Sequence, residues 1–202
     1  MVMVGTDQAE VERRLRCGAL ACPCGVGRLA PWGHARRRRV RGLGVLRPRR
    51  ARCSACLVTH VLLAVSGLLR RADAAEVIGA ALTLKASGLG HRPIAARLGR
   101  AGSTVRGWLR AFAGAAERVR AVFTGLLAEL DPMPGPVPPA GSMFADAVAA
   151  VGAAAGAARR RLGVVGAVSA WQLASAVTAG RLLAPAGPAG WVNTSWLLGA
   201  GR

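Results

Sequence analysis

Apolar residues recur at intervals of three and four along residues 73–130, a spacing that predicts amphipathic helices in the centre of the chain. The first helix is predicted over 74–87, with Asp73 as its N-cap and Glu76 three residues later, an arrangement similar to a capping box. A second, short helix is predicted over 93–98, because Pro93 suits the first turn of a helix.

The third predicted helix covers 104–112, with Ser103 or Thr104 as its N-cap, and Gly99 is expected to provide a left-handed turn before it. A long helix is then predicted up to residue 130, because the apolar spacing continues. This stripe either packs on its own domain or forms a contact in a homodimer. Its members are Phe112, Ala116, Val119, Phe123, Leu126 and Leu130.

The flanking regions follow different patterns. Residues 7–16 predict a short amphipathic helix, whereas from residue 17 to 71 short apolar pieces alternate with Gly, Pro and Arg clusters, which favours strands. The segment 131–141 is Pro-rich and predicts a stiff linker. Beyond it, 142–202 is rich in Ala and Gly and is predicted to be helical, with Ser142 able to cap its first helix. The strands are predicted at 28–34, 37–41, 45–52 and 57–63.

These patterns together predict a mainly α chain. Its parts are an N-terminal helix (1–16), a small β zinc-ribbon-like module (17–71), a central tri-helical helix-turn-helix domain with its long following helix (72–130), the Pro-rich linker (131–141) and the Ala/Gly-rich helical C-terminal segment (142–202).

Charge changes the picture, because it is concentrated in one place. The chain carries a net charge of +19, and residues 28–71 contain twelve arginines and no acidic residue, a net charge of +12. A hydrophobic fraction of 52 % excludes a wholly disordered chain. No acidic segment balances the basic one, so we expect a surface that faces phosphates.

The cysteines predict a structural metal site. Cys22 and Cys24 form one pair and Cys53 and Cys56 another, with 28 residues between the pairs. Four thiolates from two tight turns suit tetrahedral Zn²⁺, and so small a module needs a metal to hold it. The first pair has one intervening residue where two are usual, so Cys17 is a possible substitute, and His34 or His60 could also complete a set.

The predicted third helix has one outer face that carries basic and small residues. Ile94, Leu98, Val105 and Trp108 are expected in a shared core, which leaves the opposite side of the helix free to enter a DNA major groove. We predict base and phosphate contacts from Arg100, Ser103, Thr104, Arg106, Gly107 and Arg110, and phosphate contacts from Arg36, Arg37, Arg38 and Arg39.

Three stretches also resemble a known family. They are Cys22-Pro23-Cys24-Gly25 with Pro31-Trp32-Gly33, Arg52-Cys53 with Cys56 and residues 59–63, and residues 90–110. They resemble zinc-ribbon plus helix-turn-helix proteins of high-GC bacteria, which are similar to the DNA-binding N-terminal part of insertion-sequence transposases. The resemblance implies DNA binding, with the cysteine pairs as zinc ligands and 103–110 as the recognition helix.

The function expected from these observations is that of a non-enzymatic DNA-binding protein, either a transcriptional regulator or a transposon-derived protein. Its predicted partner is double-stranded DNA, with no small-molecule substrate. The acidic residues after the helix-turn-helix lack the strand pattern of a metal-dependent nuclease. The alternative is a protein-interaction module whose C-terminal part docks on a partner.

The predicted location is the cytoplasm, associated with the bacterial nucleoid. Residues 1–16 carry charges in place of the apolar core of a secretory signal. Two uncharged runs, 162–180 and 182–201, approach the length of a membrane span, but polar and Pro residues interrupt them and we predict no membrane partner.

Overall fold

The computed structural model describes residues 1–131, 133–135, 137–162 and 168–184. Within them the chain forms seven helices and a small N-terminal β structure, so the mainly α prediction is confirmed. The strands are β1 (Val2–Val4), β2 (Leu29–His34), β3 (Arg38–Val40), β4 (Gly44–Leu46), β5 (Arg49–Cys53) and β6 (Thr59–Ala64). The helices are α1 (Gln8–Arg16), α2 (Ala75–Ala86), α3 (His91–Leu98), α4 (Gly102–Ala113), α5 (Ala116–Leu130), α6 (Met143–Leu162) and α7 (Ala170–Val177).

Four strands form one sheet in the order β1-β6-β5-β2. The pairs β5–β6 and β2–β5 are antiparallel, whereas β1 lies parallel to β6, with Val2 opposite Leu62. Strand β1 was not predicted, although the apolar run Val2-Met3-Val4 was a visible indication of it. Residues 1–16 are therefore a strand and a helix, and both belong to the N-terminal β structure of residues 1–64, here called the sheet module.

A long hairpin, here called the β arm (residues 29–53), extends from the cysteines to the helices. Strands β2 and β5 pair at its base, β3 and β4 pair at its tip, and Ala35 N–H donates to Pro48 O at 2.8 Å between them. The predicted strand at 45–52 is thus two strands, because Pro48 has no N–H to donate.

The tip of the β arm rests on the start of α2. At the tip, Gly42 has φ +89°, and a Cβ there would lie 3.2 Å from the Cβ of Ala74. The Arg41 N–H donates to Ala72 O at 2.8 Å, and Ala74 N–H donates to Arg41 O at 2.9 Å. The arm is therefore fixed to the helical part by backbone hydrogen bonds.

Helix α1 closes the core beneath the sheet. Asp7 is its N-cap and accepts from Ala9 N–H at 2.9 Å, and Leu15 on its inner face is 1 % exposed. This small core also contains two of the cysteines. Its buried members are Val4, Leu15, Leu20, Cys22, Leu29, Ala51, Cys53 and Leu62.

Helices α2–α7 share one continuous hydrophobic core. The apolar stripe from Phe112 to Leu130 lies in it, and α5 packs most extensively against α6. The stripe is interrupted at Gly114, so the long helix is two helices, α4 and α5. The stripe packs within the chain, as the first of the two alternatives expects, and residues of the 72–130 segment and of the described part of 142–202 contribute to one core.

Helices α5 and α6 run parallel. At one end, the ring of Phe112, which lies in α4 just before α5, is 4.8 Å from the ring of Phe144, which lies in the first turn of α6. At the other end Arg161 Nη1 donates to the carbonyls of Glu129 and Leu130, both at 3.3 Å. The C-termini of both helices therefore lie together.

A parallel pair requires the intervening chain to travel back along the helices. The 15 residues of α5 span about 22 Å, and the 12 residues 131–142, at polyproline spacing, reach about 37 Å. Val137 packs against the helical core on the way. The chain between α5 and α6 is thus a crossover whose described residue Val137 contacts the core, and Ser142 at its end accepts from Ala145 N–H at 3.2 Å, as predicted for a cap.

Two of the predicted helix starts are wrong. The N-cap of α2 is Ala74, with no side-chain cap, and Asp73 makes ion pairs instead, while Glu76 accepts from the Ser169 hydroxyl. The N-cap of α4 is Ala101, because the helix begins at Gly102, which places Ser103 and Thr104 inside the first turn.

Helix α7 binds the sheet module and the helices together. It begins with a capping box between Ser169 and Gln172. The Ser175 hydroxyl donates to Gly67 O at 2.7 Å, and Leu69 N–H donates to Gly180 O at 2.8 Å. Residues 170–180 therefore dock on the loop between β6 and α2, a role that the Ala/Gly-rich sequence did not predict.

Replacing Gly79 with alanine is expected to lower the free energy of unfolding by about 1–3 kcal/mol, the usual result of overpacking a core. A Cβ at Gly79 in α2 would lie 2.0 Å from Cγ of Trp171, which is 9 % exposed in α7. Urea denaturation of the variant measures the change.

Gly152→Ala is the matched control, because Gly152 also lies within a helix but has no atom within 4 Å of the added Cβ. This variant should be more stable by about 0.5–1 kcal/mol, since alanine loses less backbone freedom on folding. Equal effects of the two substitutions would contradict the close packing of α7 on α2.

Candidate metal centre and basic surface

Four cysteines converge at the base of the β arm. The Sγ atoms of Cys22, Cys24, Cys53 and Cys56 all lie within 4.8 Å of one another. The Cys22–Cys56 and Cys24–Cys53 sulfur separations are both 3.7 Å. With Zn–S bonds of about 2.3 Å, a regular tetrahedron has edges of about 3.8 Å. The four thiols are therefore close enough to hold a metal ion, as predicted.

The second cysteine pair lies on a tight turn that aims backbone donors at sulfur. Cys53 ends β5, and its Sγ accepts from Ala55 N–H at 3.3 Å and from Cys56 N–H at 3.4 Å. The amides two and three residues further on thus stabilise a thiolate at Cys53, and the turn brings Cys56 to the same side.

The first pair, which has one residue between its cysteines, brings its sulfur atoms into the cluster by a different geometry. Cys24, like Cys53, accepts from the amide three residues on, with Gly27 N–H at 3.5 Å. Gly27 therefore occupies the place that Cys56 has in the other turn, but a Cβ there would lie only 2.3 Å from Cys53 Sγ. No side chain fits at Gly27, and Cys22, upstream, supplies the remaining sulfur.

The local environment separates the pKa values of the cysteines. The amides of Gly27 and Val26 lower the pKa of Cys24 to about 6, whereas burial raises that of Cys22 to about 12. Burial also acts to raise the pKa of Cys53, but the Cys56 and Ala55 amides hold it below its ordinary value. Part of the cluster is thus prepared as thiolate, and a bound metal ion would displace the remaining protons.

The other suggested ligands lie outside the cluster. Cys17 is exposed and donates to Arg14 O at 3.5 Å, so it does not substitute for a member of the set. His34 is exposed on β2. His60 is buried on β6 with its Nε2 3.4 Å from Cys22 Sγ, next to the cluster. Its pKa is lowered by burial and by the N-terminal ammonium group.

The exposed side of α4 carries the predicted face. Helices α2, α3 and α4 pack on one another, with Ile94, Val105 and Trp108 buried as predicted. Gly99 ends α3 with φ +60°, the left-handed conformation expected of it. On the opposite side of α4 the exposed residues include Ser103, Arg106, Gly107 and Arg110, and Thr104 is half-buried.

Arg100 differs from the other predicted DNA contacts. Its Nε donates to Asp73 Oδ1 at 2.6 Å, and its Nη1 donates to the carbonyls of Leu98 and Gly99 at 3.1 and 3.0 Å. The side chain is 18 % exposed, and its guanidinium is occupied within the fold. In this structure its guanidinium holds the turn before α4, and its contact with DNA stays a prediction.

Asp73 is a buried acidic residue whose predicted role as a helix cap is wrong. Its carboxylate is 3 % exposed and also meets Arg41 Nη1 at 3.7 Å. Because Arg41 lies at the tip of the β arm and Arg100 precedes α4, one carboxylate joins the arm to the turn that positions α4. Its position before a predicted helix favoured a cap, and only the fold shows the ion pairs.

The basic segment lies on the outside of the β arm. Arg36, Arg37 and Arg39 are exposed and Arg38 is half-buried. Of the twelve arginines in 28–71, only Arg41 and Arg49 form ion pairs with acidic residues in the described part of the chain. The remaining charge is therefore available to a polyanion.

No described helix is both long enough and apolar enough to cross a membrane. The second uncharged run, 182–201, lies mostly outside the described residues. The C-terminal residues that are described turn their apolar side chains into the core: α7 buries six of its eight residues.

Comparison with known proteins gives no match: no protein-family model, no curated protein and no solved structure matches the chain.

Proposed function

We propose that this chain is a non-enzymatic DNA-binding protein in which α3 and α4 act as a helix-turn-helix pair. The observation that carries the proposal is the outer face of α4. Arg106 and Arg110 are exposed on it beside Ser103 and Gly107, and neither α3 nor α4 contains an acidic residue. An acid-free helix face with arginines one turn apart suits the major groove.

The geometry around α4 supports this use. Its inner face is closed by the core, so the helix is held rigidly, and the left-handed turn at Gly99 sets its direction relative to α3. Gly107 has no atom within 4 Å of the place where a Cβ would lie. Backbone can therefore approach a base pair closely at the middle of the exposed face.

The β arm would supply the phosphate contacts. Arg36, Arg37 and Arg39 are exposed near its middle, and the arm is joined through Arg41 and Asp73 to the turn before α4. Phosphates neutralised by the arm release counterions, and this release favours binding without selecting a sequence.

The cysteine cluster would hold a structural Zn²⁺. Its ligands are Cys22, Cys24, Cys53 and Cys56, and the all-sulfur set with closed geometry is typical of structural sites. A bound ion would cross-link the two tight turns, and the cluster's own amide donors already favour thiolates at Cys24 and Cys53. The base of the arm would thereby gain the rigidity that its small core does not provide.

The biological role that we propose is transcriptional regulation or a function derived from a transposon. The support for it is the resemblance of the cysteine pairs and of residues 90–110 to zinc-ribbon plus helix-turn-helix proteins. Double-stranded DNA is the proposed partner.

Arg106→Ala is expected to relax sequence preference and to lower the affinity for the preferred site by about 1–3 kcal/mol. Arg106 is exposed on α4 and is free to reach base edges. Selection of bound duplexes from a random pool with the intact protein identifies the preferred site, and a mobility-shift titration of that site measures the effect.

Arg120→Ala is the matched control, because Arg120 is an exposed arginine on α5, away from the proposed face. It removes the same charge and should leave the sequence preference unchanged.

If six or more phosphates are contacted, affinity should fall by about 10³-fold or more between 50 and 200 mM salt. A selection that enriches no sequence, or an affinity insensitive to salt, would refute the proposal.

A further inference from the structure

Trp32 is an exposed aromatic residue on the edge of the sheet. It lies on β2, one of the two edge strands of the four-stranded sheet, and is 52 % exposed, whereas the other described tryptophans, Trp108 and Trp171, are buried. The register of β2 against β5 shifts between Pro31 and His34, and Gly33 has φ +82°. Such a bulge in an edge strand redirects side chains and often accompanies a binding site.

One face of the indole is backed by an arginine. The Arg52 guanidinium carbon lies 4.8 Å from the centroid of the Trp32 ring. Arg52 Nε also donates to Leu57 O at 3.2 Å, which fixes the guanidinium in place. The ring is therefore held against a rigid cation, and half of its surface remains open to solvent.

The surroundings of the ring are basic. Arg50 lies two residues before Arg52 on β5 and so projects from the same face of the strand, while Ala51 between them is fully buried. Neither arginine forms an ion pair with an acidic residue in the part of the chain that the structure describes. A purely apolar partner would leave these charges unmatched, whereas a ligand that combines a flat ring with phosphates matches both.

We propose that Trp32, backed by Arg52, is a stacking site for an unpaired nucleobase of single-stranded DNA, with Arg50 contacting the adjacent phosphate. Aromatic side chains beside a basic track are the usual means of binding single strands without sequence preference. The inference rests on the proposed DNA binding and deepens it, because it assigns the duplex to α4 and an unpaired strand to the base of the β arm.

The test compares two single-stranded probes of equal length and charge, a 15-nucleotide oligothymidylate and the same backbone without bases. The intact protein should bind the oligothymidylate more tightly by about tenfold, the effect of one stacked base. Trp32→Ala should remove that difference, and Trp32→Phe should retain most of it, because phenylalanine still offers a ring.

Val45→Ala is the control for loss of exposed apolar surface, because Val45 is 58 % exposed on the same arm and has no ring. It should bind both probes as the intact protein does. Metal content and circular dichroism of each variant establish that the sheet is folded. If Trp32→Ala lowers the metal content or the circular dichroism signal, the effect of the ring is measured by comparing Trp32→Phe with Trp32→Leu.

Equal affinity of the intact protein for the two probes would overturn the stacking site, and so would a base-dependent difference that survives Trp32→Ala. A 15-base-pair duplex carried through the same titrations separates this result from the wider proposal. Duplex binding without a base-dependent preference for single strands removes only the stacking site. Base-dependent binding of the single strand without duplex binding removes the role of α4 and leaves Trp32 in place.

Discussion

Serine in place of Cys53 is expected to abolish the zinc binding that we propose for the four-cysteine cluster and to unfold the base of the β arm. Cys53 Sγ lies 3.7 Å from Cys24 Sγ and accepts two backbone N–H groups, so it is both a ligand and the centre of its turn. Binding of a structural zinc ion contributes about 10–16 kcal/mol in small zinc domains, far more than this core can replace. Zinc per chain and amide hydrogen exchange of residues 17–64 measure the two losses.

The control is Cys17→Ser, which removes a thiol that is exposed and outside the cluster. It should leave the zinc content and the exchange pattern unchanged. Retention of one zinc ion per chain by Cys53→Ser would contradict the four-cysteine site, and loss of zinc from Cys17→Ser would show that the ligand set differs from the one described.

Alanine in place of Asp73 is expected to lower the free energy of unfolding by about 3 kcal/mol. The substitution leaves the largely buried Arg100 guanidinium without its carboxylate and releases Arg41 at the tip of the β arm. The value lies at the lower end for a broken buried pair, because Arg41 is 57 % exposed and keeps its hydration. Urea denaturation gives the change in stability.

Asp131→Ala is the control for the loss of a carboxylate, because its partner Arg160 is 67 % exposed. An exposed pair contributes at most about 1 kcal/mol. In a double-mutant cycle, Asp73→Ala combined with Arg100→Ala should destabilise the protein less than the sum of the single variants. Strict additivity would show that the two side chains do not interact.

The long periodic segments and the cysteine pairs were predictable because their determinants are local. The helices near residues 8–16, 75–86 and 102–113 follow from apolar spacing, and the one near 91–98 follows from Pro93 in its first turn. The two cysteine turns follow from the short separation of the cysteines within each pair. Gly99 was assigned its left-handed turn correctly because the conformation depends on one residue.

The remaining features depend on contacts between distant residues. Asp73 has the sequence context of a helix cap, but Arg100 and Arg41, 27 and 32 positions away in sequence, determine where its carboxylate lies. The parallel course of α5 and α6 depends on what the Pro-rich crossover can span. In the sequence Gly27 has the context of an ordinary turn glycine. Only the structure shows that Cys53 Sγ lies where a side chain at position 27 would be.

The docking of α7 on the sheet also has a consequence for biosynthesis. Met3 and Leu63 form one small buried cluster with Ala176, so residues at positions 3 and 176 must meet. During translation the sheet emerges first, but this part of its surface stays uncovered until α7 has left the ribosome. Closing such a large loop is slow, and exposed strands at this stage favour association between nascent chains. The four-cysteine cluster is complete by residue 56, so a metal ion bound there would hold the early sheet together well before that closure.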